Sequence, residues 1–363
     1  MLEVADVLRQ YGPAYLEQFG ARMLPSQRRA CEDLRRCRTA ALGGHLYQCN
    51  ACGHPHYSYH SCRHRSCPKC HARDTQVWLE QRQAELLPVP YYHVIFTLPQ
   101  ELRELTRRHQ KPMYGLVMQA AAEALLKLTA DPHYVGGLVG VMAVLPTWSA
   151  TLSYHPHVHC LVTGGGVSPD GQQWRPARAD YLVPVRALSQ LFRGLVLDRI
   201  RRQLPQLTLP AAVRQKDWVV HCKPAVQGTQ KVLAYLGRYI HRVALTNSRL
   251  VALENGRVTF RYRDSRTGQT KTMTLAAQEF LRRFLQHVLP RGVHKVRYYG
   301  LWSPAHRDRL HAWQDRLAPD PTRSARPVAR ELPSPVPPRL CPYCQSGTLV
   351  YVRRLPPQGR PPP

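Results

Sequence analysis

No part of the 363-residue chain reaches the eighteen or so consecutive apolar residues that a bilayer-crossing helix needs, and the longest candidate, LVGVMAVL at 138–145, falls well short. The opening residues MLEVADVLRQYGPAYLEQF carry Glu3 and Asp6 and lack the basic-then-apolar order of an export signal. The expected location is therefore the cytoplasm, in association with the nucleoid. Acidic residues are scarce, with 23 Asp and Glu against 51 Lys and Arg, a formal charge of +28. Such a field attracts polyanions and makes nucleic acid the expected partner. No internal repeat at a fixed period is present. In a reducing compartment disulfides explain eleven cysteines poorly, and their clustering between Cys31 and Cys70 points to metal ligation.

Composition divides the chain into three. Residues 1–90 open with an amphipathic helix and then become rich in Cys and His, with few apolar residues, so a metal has to organise them into a small zinc-binding, DNA-docking domain. Residues 91–315 alternate strand-like runs with amphipathic helices and form the main domain. Residues 316–363 are too rich in Pro and Arg to pack and are expected to be an extended, largely disordered tail, interrupted by a lone CPYC at 341–344.

Within the main domain, YYHVIFTL at 91–98 is β-branched and aromatic, as a buried strand should be. A helix over 113–128, a strand over 138–145, a strand in HPHVHCLVTGG, a helix over 185–204 and a strand in DWVVHC follow. The order βαββαβ predicts an α+β fold of the ferredoxin-like, split-βαβ type, an antiparallel sheet with helices on one face. A further helix is expected over 226–243, and Asn255-Gly256 marks a hairpin.

Cys49, Cys52, Cys67 and Cys70 form two CxxC pairs separated by fourteen residues, a spacing that suits a closed, structural Zn2+ site. Cys37, His45, Cys62 and His64 are candidates for a second zinc; His54, His60 and His71 are weaker ones. Cys341 and Cys344 supply two ligands only, so they either borrow partners from elsewhere or hold nothing.

In Tyr154-His155-Pro156-His157-Val158-His159, side chains two apart on a strand share a face, so His155, His157 and His159 form an imidazole row able to hold a divalent ion. Gly164, Gly165 and Gly166 are expected to leave room for a bulky ligand at the strand's end. In KVLAYLGRYIHRVAL, Val232, Leu236, Tyr239, Ile240 and Val243 make an apolar stripe. Tyr235 lies at its edge, beside Lys231, Arg238 and Arg242, which are expected to contact DNA. Tyr235 and Tyr239 are neighbours one turn apart. Cations beside a phenol lower its pKa and bind phosphate, as a tyrosine nucleophile attacking a phosphodiester requires.

A zinc cluster ending in CPKC, then HVIFTLP, HPHVHCLVTGGG, YLGRYIHRVALTNSRL, RFLQHVLPRG and VRYYGLWSP, occur in that order between about residues 20 and 315. In this the chain resembles the rolling-circle transposases of the insertion sequence 91 family, which are two-tyrosine HUH (His-hydrophobe-His) endonucleases. The resemblance implies an N-terminal zinc domain, an HUH catalytic domain of the split-βαβ kind and a 5′-phosphotyrosine intermediate in DNA strand transfer. On this sequence His157 and His159 match the HUH pair, and Tyr235 and Tyr239 the paired tyrosines. Ser66 in CRHRSCPKC stands where the family carries a histidine. The motif does not mark a third ligand for the catalytic metal, and His155, then His93, are the candidates.

The expected activity is metal-dependent nicking and transfer of single-stranded DNA in transposition, with Mg2+ or Mn2+ as the catalytic ion. Two rivals are a replication initiator or relaxase of the same chemistry and a non-catalytic zinc-ribbon protein that binds nucleic acid.

Overall fold

In a computed structural model of the chain, residues 2–70, 72–225, 237, 244–264, 266–318 and 339–358 are described, with 72–75 by backbone alone. They form two compact units. One comprises Met1–Asp74, Leu245–Val288 and Ala325–Pro363; the other comprises Thr75–Ala244 and Leu289–Ser324. In chain order the elements used below are α1 (Val4–Phe19), α2 (Pro25–Arg35), β1 (Gly44–Cys49), β2 (Pro55–Tyr59), α3 (Ala72–Ala84), β3 (Tyr91–Thr97), α4 (Arg103–Arg108), α5 (Gln110–Ala130), β4 (Leu138–Val144), β5 (His157–Val167), β6 (Trp174–Pro176), α6 (Val185–Gln203), β7 (Val220–Pro224), β8 (Leu250–Glu254), β9 (Arg257–Arg263), β10 (Thr270–Ala276), β11 (Val296–Gly300) and β12 (Leu349–Leu355).

The unit centred on β5 is a mixed α+β structure around an antiparallel sheet of order β11-β4-β5-β3-β7, with β6 on the far end of β5. Strand periodicity sorts its side chains. Tyr92, Val94 and Phe96 of β3 and Val158, Cys160 and Val162 of β5 join Met113, Val117 and Leu125 of α5 and Leu188, Phe192 and Val196 of α6 in one buried cluster. Both long helices therefore lie on one face of the sheet. Deleting one of these large side chains, Phe192 for instance, would cost about 3–5 kcal/mol, because the transfer energy and the cavity add. The opposite face carries Tyr91, Leu161, Met142 and Val144, packed with Trp302 and with Trp313 of the helix Arg307–Leu317. That face also carries His93, His157 and His159. The sequence patterning does not announce β11, which continues the sheet past β4, Val296 opposite Val144.

The other unit begins with α1, whose first turn is closed by the Glu3 N–H donating to Asp6 Oδ2 at 2.8 Å. α1 packs on α2 and on the helix Ala277–Leu285. That helix presents Phe280 and Phe284, both fully buried, with Phe280 6.0 Å from Phe260 of β9. β8 and β9 meet at the expected hairpin, Asn255 and Gly256 having φ of 47° and 72°, the left-handed pair a tight hairpin requires. The expected domain boundaries place this hairpin in the main domain. It belongs instead with the N-terminal helices, because the apolar face of β9 and its helix is covered there.

The C-terminal expectation also needs correction. Residues 349–355 are not an extended tail: β12 pairs antiparallel with β1, Cys49 opposite Leu349 and Gly44 opposite Leu355. The free edge of β1 supplies the hydrogen bonds that Pro- and Arg-rich chain could not make by packing. β2 occupies the other edge, giving a sheet of order β12-β1-β2. Residues 319–338 and 359–363 lie outside the described residues.

Candidate functional site

The cysteines fall into two sets of four, Cys37/Cys62/Cys67/Cys70 and Cys49/Cys52/Cys341/Cys344, each with its sulfurs within 4.8 Å of one another. Adjacent sulfurs are 3.5 Å apart for Cys37–Cys70, 3.6 Å for Cys62–Cys70, 3.6 Å for Cys49–Cys344 and 3.9 Å for Cys52–Cys341. A disulfide needs about 2.05 Å. A zinc tetrahedron with bonds of about 2.3 Å has sulfurs about 3.8 Å apart, so the donor sets fit two structural zinc ions. Backbone N–H groups turn toward the sulfurs, that of Cys62 to Cys37 and that of Cys52 to Cys49 at 3.5 Å each, and that of Gly347 to Cys344 at 3.4 Å. Such bonds favour thiolates.

The expected grouping of Cys49 and Cys52 with Cys67 and Cys70 is thus corrected. β1 carries Cys49 at its end, and its pairing with β12 brings the 341–344 knuckle to that end, so the second CxxC comes from the far terminus. Cys67 and Cys70 close instead on Cys37 and Cys62. His45 and His64 are not in either set: His45 sits edge-on to His60 at 5.0 Å, and His64 Nδ1 accepts the Ser66 N–H at 3.1 Å. Ser66 in place of a histidine removes no ligand, since both sets consist of cysteine alone. His54 stacks on Tyr343 at 4.4 Å. His71 lies outside the described residues.

In the other unit, His157 and His159 point away from α5 and α6. Opposite them on β3 stand Thr97 and Ile95, so His93, two residues on, shares their face, and β7 adds His221 opposite Ile95 and Lys223 opposite His93. The His157 and His159 rings are 4.8 Å apart, and His93 Nε2 lies 2.8 Å from His159 Nδ1. The His157 Nδ1–H donates to the His155 carbonyl at 2.7 Å, which leaves Nε2 with its lone pair. Burial pushes His93 and His157 down to about 4 and holds His159 well below the usual imidazole value, with the neighbouring imidazoles adding to the shift of the last two. All three are neutral near pH 7, the form in which imidazole ligates metal.

His155 stands in the expected row, its ring 4.9 Å from that of His157, but it precedes the strand and is held differently. Pro156 lacks the N–H a ladder needs, β5 starts at His157, and the His155 N–H donates instead to the Thr147 carbonyl at 2.7 Å. Arg103 of α4 donates to His155 Nδ1 at 2.9 Å, which occupies that lone pair and puts the remaining proton on Nε2. Among the described residues the histidines form no set of three donor atoms as tight as either cysteine set. The glycines that end β5 do not open a cavity. A side chain at Gly165, φ 154°, would meet Trp174 Nε1 at 2.6 Å, and one at Gly164 would meet the Pro90 carbonyl at 2.8 Å. Their role is to let β6 and the chain before β3 approach.

Tyr235, Tyr239, Lys231, Arg238 and Arg242 lie outside the described residues. The sequence does not single out Arg103, Lys223 and His221; the strand register alone reveals the last two, since neither sits in a motif. Among the described residues no helix is long and apolar enough to cross a membrane.

A family profile described as "Transposase zinc-binding domain" matches residues 7–98, and one described as "Putative transposase" matches residues 140–309. The chain is 40% identical over 383 residues to the "Putative transposase y4qJ" of Sinorhizobium fredii (strain NBRC 101917 / NGR234), covering 96% of this chain and 94% of that protein. It is 30% identical over 280 residues to the "Transposase for insertion sequence element IS801" of Pseudomonas savastanoi pv. phaseolicola, covering 73% of this chain and 67% of that one. Among solved structures it is similar to "Conjugative Relaxase TrwC in complex with mutant OriT Dna", with 13% identity, a TM-score of 0.26, and coverage of 62% of this chain and 73% of that one. With two cysteine quartets in the unit that holds its N-terminus, one relative 40% identical over 96% of its length and a second 30% identical over 73%, the chain belongs to the insertion sequence 91 family of transposases with an N-terminal zinc-binding domain.

Proposed function

We propose that this protein nicks single-stranded DNA at the ends of a mobile element with a tyrosine nucleophile and transfers the strand to a target. The observation that carries the reading is the pair His157 and His159, neutral and side by side on the central strand, facing away from the helices. The order β4-β5-β3-β7 with β3-α5-β4-β5-α6-β7 connectivity supports a ferredoxin-like, HUH-type catalytic domain.

His157 and His159 would hold Mg2+ or Mn2+, with His93 either completing the ligand set or fixing the His159 tautomer through their shared hydrogen bond. When bound, the ion supplies Lewis-acid polarisation of a non-bridging phosphate oxygen. Lys223 on the neighbouring edge strand adds positive charge to that face. Tyr235 or Tyr239 would then attack phosphorus: the phenol gives up its proton, the new bond joins the tyrosine oxygen to phosphorus, the bond from phosphorus to the 3′ oxygen breaks, and that oxygen takes up a proton and leaves as a 3′-hydroxyl. The 5′-phosphotyrosine keeps the phosphodiester bond energy, so a second hydroxyl can rejoin the strand with no nucleotide cofactor.

Gly237, midway between the two tyrosines, supports their assignment. It is buried, and a side-chain carbon there would come within 2.8 Å of Leu79 Cδ2 of α3. Leu79 packs in the cluster that includes Tyr91 and Leu161, on the histidine face. Family membership favours transposition over a replication initiator or relaxase. Incubating the protein and Mn2+ with single strands carrying the element ends tests the proposal; cut strands with a free 3′-hydroxyl support it, and intact strands with every end sequence point to a protein that only binds.

A further inference from the structure

We infer that the cavity beside β2 binds one nucleotide of single-stranded DNA, its phosphate between Arg38 and Arg339 and its base on Tyr57. The inference rests on DNA being the partner but not on the cleavage chemistry. The cavity has a volume of about 500 Å³ and no acidic residue lines it; Arg38, Arg339, His45, Tyr57, Tyr59 and His60 do.

Each arginine is set by a different cysteine quartet. Arg38 follows Cys37 directly and Arg339 precedes Cys341 by two residues. Arg38 is held at a φ of 56°, a left-handed conformation unfavourable for arginine, with its N–H on the His60 carbonyl at 3.0 Å. Strain of this kind persists where the surroundings fix it, and it concentrates at binding sites. Arg339 is tied by its carbonyl, which accepts the Leu349 N–H at 2.9 Å. β2, which forms the wall between them, is the chain segment linking Cys52 of one quartet to Cys62 of the other.

The contents of the cavity match a nucleotide. Two guanidinium groups in an acid-free site suit a phosphodiester. Tyr57 is 52% exposed and nearly parallel to Tyr59, 18° between planes, so its ring is open for a base to stack on. His45, whose buried Nδ1 has no hydrogen-bond partner among the described residues, lines the same cavity. A duplex keeps its bases stacked on each other, so the aromatic wall selects single strands.

The test uses the full chain, both zincs retained, without added Mg2+ or Mn2+ so that no cutting intervenes. Binding of a fluorescent eight-nucleotide oligothymidylate is followed over a salt series. Joint Arg38→Ala and Arg339→Ala should make the slope of log K against log salt shallower by about 1.4, because two arginines no longer neutralise phosphates of the single strand. The joint Arg→Lys changes should keep the slope. Tyr57→Ala should weaken binding about tenfold with the slope unchanged. An unaltered slope in the Ala pair at two zincs per chain overturns the inference, as do equal losses on a duplex of the same length. Neither result bears on cleavage, which is read from the tyrosine variants.

Discussion

Cys52 and Cys341 lie 289 residues apart in the chain, yet their sulfurs are 3.9 Å apart. One cysteine quartet thus draws on residues 49–52 and 341–344, and a zinc ion bound there would hold β12 to β1 in addition to their ladder. Structural zinc contributes its binding energy to folding.

Joint Cys341→Ser and Cys344→Ser should therefore lower the zinc content from two to one per chain and make the C-terminal residues sensitive to protease. Elemental analysis with limited proteolysis reads both. Two zincs retained in that variant would mean that the quartet does not bind as a unit.

That quartet also shows where the sequence was legible. CxxC pairs announce ligands because two thiolates two residues apart can turn onto one ion, but spacing carries no information about which pairs converge. Pairing is decided by strand ladders, and β12 was unreadable in a Pro- and Arg-rich context whose only β-like run, TLVYVRRL, is mostly exposed. In contrast β3, β4, β5, α5 and α6 were legible, because their apolar residues are buried against one another and the period survives in the sequence. Helix ends and strand ends shifted by a few residues, as at Pro156. The histidine face was half legible: His157 and His159 lie on one strand, whereas His93, His221 and Lys223 join them only through register.

His157→Ala and His159→Ala should each reduce nicking by at least a hundredfold with single-strand binding intact. His93→Ala should fall between these and the native protein. His155→Ala should retain most activity, because its Nδ1 is already committed to Arg103. Measured nicking rates across added Mn2+ concentrations check this, and a His155 variant as inactive as the His157 variant would return His155 to the ligand set.

Stability without added Mg2+ or Mn2+ should fall as the pH is lowered from about 6.5 toward 4. His93, His157 and His159 have folded values below the ordinary 6.5, so in that window the unfolded chain takes up protons that the folded chain refuses. Each contributes a slope of up to about 1.4 kcal/mol per pH unit. Above 6.5 their contribution is level. Urea unfolding of the His157→Ala/His159→Ala variant should show a shallower loss over the same window, and an identical loss would place the titrating groups elsewhere.

The most direct measurement is a denaturing gel of the protein after reaction with a single strand labelled at its 3′ end. A 5′-phosphotyrosine leaves the downstream fragment on the protein, so the label should migrate with the chain, while a 5′ label should appear on a free, shortened strand. Tyr235→Phe should lose the first cut, since on the helix expected from the sequence Tyr235 lies toward Lys231, Arg238 and Arg242, and Tyr239→Phe should cut but fail to transfer. The joint Tyr235→Phe/Tyr239→Phe variant should give no labelled protein at all; an adduct that persists there, or one that carries the 5′ label, would contradict the account.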